Sequence, residues 1–225
     1  MECLTGTTAK RYAGIWMLCM CTTHVAATPS SDVAWDASTR ALVASGDPEH
    51  GEQLSAQCTA CHGSEGISPD PAYPHLAGQL ATYTYKQLHD YKEGYRTQAV
   101  MATFVASLSE QDMADLAAWY AQLPLPPASA PSAQDHDLAD QLAQKGDGRR
   151  LIPPCASCHG RKGQGDIVNM PALAGQSVEY LKQSLVDYKQ GERANDIYGR
   201  MRRISEQLSD KEIAALAQYY ARMNP

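Results

Sequence analysis

Apolar side chains recur along this chain at the three-to-four-residue spacing of a helix, and they do so in matching sets. Leu80, Tyr83, Leu88 and Tyr91 fall on one stripe that ends at Gly94, and Tyr180, Leu181, Leu185 and Tyr188 fall on another that ends at Gly191. Ser109, with Asp112 three positions on, reads as the cap of a helix whose apolar side carries Leu116, Trp119 and Tyr120. Ser209 with Glu212, then Ile213, Leu216 and Tyr220, repeats that scheme. Asp47-Pro48 predicts another start, an N-cap followed by proline at the first helical position, with the helix running toward Cys58. No segment alternates as a half-buried strand does, so the pattern predicts an all-α fold. The stretch from Thr28 to Ser45 is less regular and predicts a partly ordered arm or a short helix.

The matching extends to the letters themselves. Cys58 to Gly63 aligns with Cys155 to Gly160, and Leu76-Ala77-Gly78-Gln79 with Leu173-Ala174-Gly175-Gln176, both at an offset of 97 residues. Tyr83, Asp90-Tyr91-Lys92, Gly94 and Arg96 recur as Tyr180, Asp187-Tyr188-Lys189, Gly191 and Arg193. Beyond that point the offset becomes 100, pairing Met101, Leu108-Ser109 and Trp119-Tyr120 with Met201, Leu208-Ser209 and Tyr219-Tyr220, so the second copy carries three extra residues before its methionine. Between the copies lies a stretch rich in proline and small residues, a semi-rigid linker. The expected units are residues 28–125, a linker over 126–133, and residues 134–225.

Each copy opens on Cys-x-x-Cys-His, at Cys58 to His62 and Cys155 to His159. Thiols at this spacing can add across the two vinyl groups of one haem, and the adjoining histidine then reaches the iron. A zinc site is one alternative and needs two further thiol or imidazole ligands near each pair. A redox dithiol is the other, and the surrounding strand-helix-strand pattern it requires is not found. Of seven cysteines, Cys3, Cys19 and Cys21 fall in the first 27 residues and the remaining four all belong to the motifs, leaving none for a structural disulfide. Units this short have marginal cores. Two covalently bound haem c groups, one filling the centre of each unit, relieve that difficulty in a chain with a single phenylalanine.

Residues 1–27 have the layout of a signal peptide: Lys10 and Arg11, an apolar stretch from Tyr12 to Cys21, then the small residues Val25-Ala26-Ala27. An uncleaved anchor is the alternative, although the run is much shorter than the ~20 residues needed to span a bilayer. Neither Cys19 nor Cys21 follows the small residue that a lipoprotein signal places before its cysteine. The expected location is therefore the periplasm, with peripheral membrane association left open.

The second axial position decides the chemistry of a haem. Met101 and Met201 each sit seven residues before the Leu-Ser that opens a last helix, on what reads as a loop able to fold back over the haem. Met113, Met170 and Met223 have no methionine at the matching place and read as core filler. His75 and His89 are rivals in the first copy, but their counterparts, Ala172 and Asp187 or its neighbour, are not histidine. Pro74 and Pro171 each lie twelve residues after the haem histidine, and their carbonyls are candidates to accept its Nδ1–H. Arg96 and Arg193 are candidates for contacts with haem propionates, with solvated surface charge as the alternative. Imidazole on one side and thioether on the other predicts an iron that exchanges electrons and does little else.

The motifs just described, with Gly46-Asp47-Pro48-Glu49-His50-Gly51, Pro69-Asp70-Pro71-Ala72-Tyr73-Pro74, Lys145-Gly146-Asp147 and Ile152-Pro153, resemble the class I cytochrome c family, and within it the di-haem cytochromes c4. That resemblance covers nearly everything after the leader. It implies two tandem class I cytochrome c domains related by pseudo-twofold symmetry, with haems facing each other across the interface. His62 and Met101 would then ligate one iron and His159 and Met201 the other. The longer, basic ligand segment of the second copy departs from the pattern and bears on the identity of partners.

Charge is divided unevenly. From residue 28 to Ala130 there are 4 basic and 12 acidic residues, and from Pro131 onward 13 and 12, with Arg200, Arg202 and Arg203 around Met201. Solvated faces are one reading. The other is that the asymmetry orients redox partners, a basic surface approaching the first copy and an acidic one the second. Nucleic-acid binding has no support in this composition. The sequence thus predicts a monomeric electron-transfer protein, not an enzyme, passing single electrons from a respiratory complex or dehydrogenase to a terminal oxidase. A haem subunit fixed to one dehydrogenase and a di-haem peroxidase are the alternatives.

Overall fold

The computed structural model describes residues 30–129, 136–166 and 168–224, so the leader and part of the Pro-rich linker lie outside the described residues. Regular structure within them is helical, accompanied by two isolated bridges, Asp147–Ile152 and Asp166–Met170. The first copy contains α1 (Ala37–Ala44), α2 (Pro48–Ser55), α3 (Thr59–His62), α4 (Ala81–Lys92), α5 (Ala99–Val105) and α6 (Glu110–Gln122). The second contains α7 (His136–Asp140), which runs into a π turn at Gln141–Lys145, then α8 (Ala156–His159), α9 (Val178–Gln190), α10 (Arg200–Glu206) and α11 (Asp210–Ala221).

The helix starts follow the side chains that cap them. Asp47 accepts from the N–H groups of Glu49 and His50 with Pro48 in the first turn, and Ser109 and Ser209 form full capping boxes with Asp112 and Glu212. In the irregular stretch before Ser45, α1 is nucleated by Asp36, whose carboxylate accepts from Thr39 N at 2.9 Å. α2 crosses α6 at Gly51, where a Cβ would stand 2.1 Å from the Asp115 carbonyl oxygen. Only glycine permits that approach.

Met101 and Met201 are not on a loop, as their sequence context suggested, but on the short helices α5 and α10. Local caps make the difference: Gln98 accepts from Met101 N at 2.6 Å, and Asp196 accepts from Arg202 N at 3.0 Å. The three extra residues of the second copy correspond to a 3-10 turn, Ile197–Gly199, in which both Tyr198 and Gly199 have positive φ.

Two small apolar cores result. One gathers Val43, Tyr85, Val105, Met113, Leu116 and Tyr120; the other gathers Leu142, Ile152, Leu181, Ile213, Leu216 and Tyr220. Between them the interface is reciprocal. Gln79 bonds both backbone groups of Ala172, donating to its oxygen at 3.0 Å and accepting from its nitrogen at 2.8 Å. Gln176 does the same to His75, at 2.8 Å in each direction. His75 and Ala172 are equivalent positions in the repeat, so each copy's glutamine grips the same place on the other, which is the signature of a pseudo-twofold axis.

A polar tie closes each copy onto its last helix. His50 Nδ1 lies 2.7 Å from Asp115 on α6, and Arg150, three residues after Asp147 as His50 is after Asp47, reaches Glu212 on α11 at 2.6 Å. The Arg150 hydrogen bond holds the Glu212 carboxyl at about 2, well below its ordinary 4.5. A depressed folded pKa contributes stability above the unfolded value and loses it as pH falls through the folded one. Glu212→Gln should therefore cost about 2 kcal/mol at neutral pH. Thermal unfolding of the two proteins should converge between pH 4.5 and 2, and a gap that persists at pH 2 would contradict the assignment.

Candidate functional site

Each Cys-x-x-Cys-His segment folds as a tight helical turn. In the first copy a 3-10 turn, Ala56–Cys58, leads into α3; in the second, α8 follows Cys155 directly. Gly63 and Gly160 come next with φ of +78 and +80 and extended ψ, a conformation essentially confined to glycine. A Cβ on Gly63 would stand 2.1 Å from the Ile67 carbonyl oxygen. The chain can therefore reverse straight after the histidine and return over it.

What returns is a proline carbonyl. His62 Nδ1 is 2.9 Å from Pro74 O, and His159 Nδ1 is 2.9 Å from Pro171 O. A carbonyl can only accept, so each Nδ1 carries the proton and Nε2 keeps its lone pair. Both rings are buried, and burial pushes both imidazoles below the usual histidine range, against the opposing effect of the proline bond. The result is a neutral, oriented imidazole with one nitrogen available to a metal.

None of the four motif cysteines is in a disulfide among the described residues, and all are partly buried. Burial raises the Cys58 thiol and pushes that of Cys155 up to about 11. A redox dithiol needs the reverse, a stabilised thiolate. Neither pair gathers with other ligands into a metal-sized cluster among the described residues, which removes the support for zinc. Beside the thiols stand the buried tyrosines Tyr120 and Tyr220, whose hydroxyls face Cys58 and Cys155 respectively. A thiol pair beside a buried histidine with one open nitrogen, repeated in each copy, fits a bulky group attached at that point. Sequence reasoning treated these tyrosines as apolar helix positions; their recurrence at matched places was the available signal.

Arg193 is buried and Arg96 half-buried, and both face the other copy. Arg193 is 5% exposed, and its guanidinium bonds Tyr83 OH at 2.8 Å, Gln87 Oε1 at 3.0 Å and Asn195 Oδ1 at 3.1 Å. Arg96 bonds Gln87 Oε1 at 2.9 Å and Tyr180 OH at 3.2 Å. Tyr83 and Tyr180 are equivalent positions, so each arginine reaches across to the other copy's tyrosine. Each guanidinium also lies 4.6 Å over a tyrosine of its own copy, Tyr91 or Tyr188. Burial pushes the Tyr180 phenol up, yet the two guanidiniums outweigh it and bring the group down to about 7. No carboxylate pairs with either arginine among the described residues, which leaves a concentrated positive centre in the interface. Met101 and Met201 are half-buried on α5 and α10, which pack against α4 and α9 respectively.

The family model for cytochrome c matches this chain twice, over residues 48–124 and 146–223. The chain belongs to the cytochrome c family. Cytochrome c4 from Pseudomonas aeruginosa is 39% identical over 181 residues, 78% of this chain and 88% of that one. A thiosulfate dehydrogenase electron acceptor from Stutzerimonas stutzeri is 37% identical over 167 residues, 73% of this chain and 77% of its own. The crystal structure of reduced recombinant cytochrome c4 from Pseudomonas stutzeri matches with a TM-score of 0.77 and 34% identity, covering 80% of this chain and 100% of that one. The protein is therefore a di-haem electron-transfer cytochrome c with two tandem domains. Its haem c groups are covalently attached, one through Cys58 and Cys61 and one through Cys155 and Cys158.

Because the two attachment sites are separate turns, they should fail separately. Replacing Cys58 and Cys61 by alanine should lower the covalent haem content of the full chain from two to one, read by mass spectrometry of the intact protein. Retention of two covalent haems would overturn the assignment.

Proposed function

We propose that His62 and Met101 are the axial ligands of one iron and His159 and Met201 those of the other, and that Pro74 and Pro171 set the orientation and basicity of the histidines. One observation carries this: in both copies a buried imidazole has Nδ1 committed to a proline carbonyl, and a methionine occupies the matched short helix. Bound haem iron supplies a reversible one-electron couple. Histidine and methionine side chains together would close its coordination, leaving no position for a substrate, as an electron carrier requires and a peroxidase does not. Arg96 and Arg193 would supply positive counter-charge to haem propionates. The periplasm suits this role. No helix of the described residues is long and apolar enough to cross a membrane.

A redox titration followed by a ligand-sensitive spectrum tests the assignment: both haems should be low-spin and methionine-ligated. Met101→Ala and Met201→Ala should each open one haem to carbon monoxide while the unsubstituted protein binds none. Carbon monoxide binding to the unsubstituted reduced protein would favour the peroxidase reading instead.

Partner docking follows the charge division. The first domain is acidic and suits a basic partner. The second presents Arg200 and Arg203, both exposed, beside Tyr198, which is 75% exposed with Arg200 lying 5.4 Å over its ring. Arg202 belongs to the fold instead, because its Nε bonds the buried Asp196 at 2.7 Å. An acidic acceptor, such as the docking face of a terminal oxidase, suits this second surface, while a respiratory complex or dehydrogenase supplies the electrons. Likeness to a thiosulfate dehydrogenase electron acceptor supports a second reading, a carrier dedicated to one dehydrogenase, which copurification would reveal. Reversing Arg200 and Arg203 to glutamate should slow electron transfer to an acidic partner several-fold at low salt and flatten its dependence on ionic strength. An unchanged salt slope would sink the docking assignment.

A further inference from the structure

Symmetry at the interface fails around Asp90, and that place leads to the second ligand helix. On α4 the Asp90 carboxylate is fully buried and accepts from Lys86 Nζ, from Asn195 Nδ2 at 2.7 Å and from Ser31 Oγ at 2.5 Å. Lys86, 2% exposed, also donates to the Asn195 carbonyl at 2.8 Å, and Asn195 Nδ2 is shared with Gln87 Oε1 at 3.0 Å. The equivalent pair on α9 is Gln183 and Asp187, which bond each other at 2.6 Å as an exposed contact along one helix. A buried ion pair sits in one copy, and a surface hydrogen bond occupies its place in the other.

Asn195 is followed by Asp196, 6% exposed, whose carboxylate accepts from the backbone N–H of Arg202 at 3.0 Å and from its Nε at 2.7 Å. Arg202 is the residue after Met201. The amino end of α10 is thus tied, through two consecutive residues, to a helix of the first domain. α5 is capped from within its own copy, by Gln98 on Met101 N. Only the second ligand helix is fastened across the interface in this way by the residues described.

The geometry points to Lys86, Asp90 and Asn195 as positioning residues for the second haem: the first domain holds the segment that presents Met201, while Met101 is held by its own domain. This rests on Met201 being an axial ligand. Breaking the node loosens Asn195 and Asp196, and with them α10, because a buried charge pair tolerates loss of one partner poorly. The methionine of the second haem then exchanges more readily with an external ligand, and that of the first does not.

The test uses the full di-haem protein and imidazole as the displacing ligand, with the ligand-methionine methyl resonances followed separately for the two haems by NMR. Asn195→Ala removes one neutral amide and keeps both charges, so the test does not depend on Lys86→Met folding. In either variant the imidazole reaction at the second haem should quicken about ten-fold, the effect of losing a hydrogen bond to a charged group, with the first haem unchanged. Gln183→Ala, at the equivalent place on α9, should alter neither. Equal acceleration at both haems, or none at the second, would overturn the inference. A parent protein lacking a methionine signature at the second haem would overturn the ligand assignment, and this inference with it.

Discussion

A neutral imidazole has one nitrogen that donates and one that accepts, and burying it leaves both to be satisfied. Here the donor is taken by a proline carbonyl twelve residues downstream, at His62–Pro74 and again at His159–Pro171. Much of the molecule hangs on that bond. For the carbonyl to arrive, the chain must reverse immediately after the histidine, hence Gly63 and Gly160. It must then be pinned as it returns, which the Gly66 carbonyl does by accepting from Leu76 N at 2.7 Å and Ala77 N at 3.1 Å. Gly163 does the same for Leu173 and Ala174. The returning strand of chain ends in Gln79 or Gln176, the residues that grip the other domain. Imidazole orientation and domain orientation are therefore set by a single loop in each copy.

The cores alone would not fix this arrangement. Each is small, and each surrounds a tyrosine, Tyr120 or Tyr220, whose hydroxyl faces a cysteine of its own copy's motif. Units of this length have marginal cores unless a large apolar group shares the interior. Covalent attachment by two thiols provides such a group at fixed position and adds apolar contact that the sequence, with one phenylalanine, does not supply.

Local signals explain how much of this was legible in the sequence. Asp47, Ser109 and Ser209 announce helix starts because their partners are two or three residues away, and the Cys-x-x-Cys-His turns are complete within five residues. α5 and α10 were read as loops because their stability comes from a single cap at Gln98 or Asp196 and not from a long apolar stripe. The arginines show the other limit. Arg96 and Arg193 repeat at the proper offset, but their partners Tyr180 and Tyr83 lie 84 and 110 residues away and belong to the other copy. Repetition showed that these residues mattered; only the packing of one copy on the other shows to what.

A duplicated electron carrier with perfect twofold symmetry would have two equivalent irons and no preferred direction between them. The reciprocal glutamines and the crossed arginine–tyrosine pairs are the inherited symmetric part, and they hold the domains in register. What differs is concentrated in one region: the Ile197–Gly199 turn, the exposed Arg200 and Arg203, and the buried Lys86–Asp90–Asn195 node all adjoin the segment that leads to Met201. On the docking and positioning proposed above, charge at the outer face of that segment selects the partner that approaches, and the node at its inner face sets how firmly the segment is held. The two faces share one short stretch of chain, so a partner pressing on the arginines acts on a helix that the first domain is already holding. Direction in such a molecule need not come from two different haems, since it can arise from the unequal way in which two similar ligand helices are fastened.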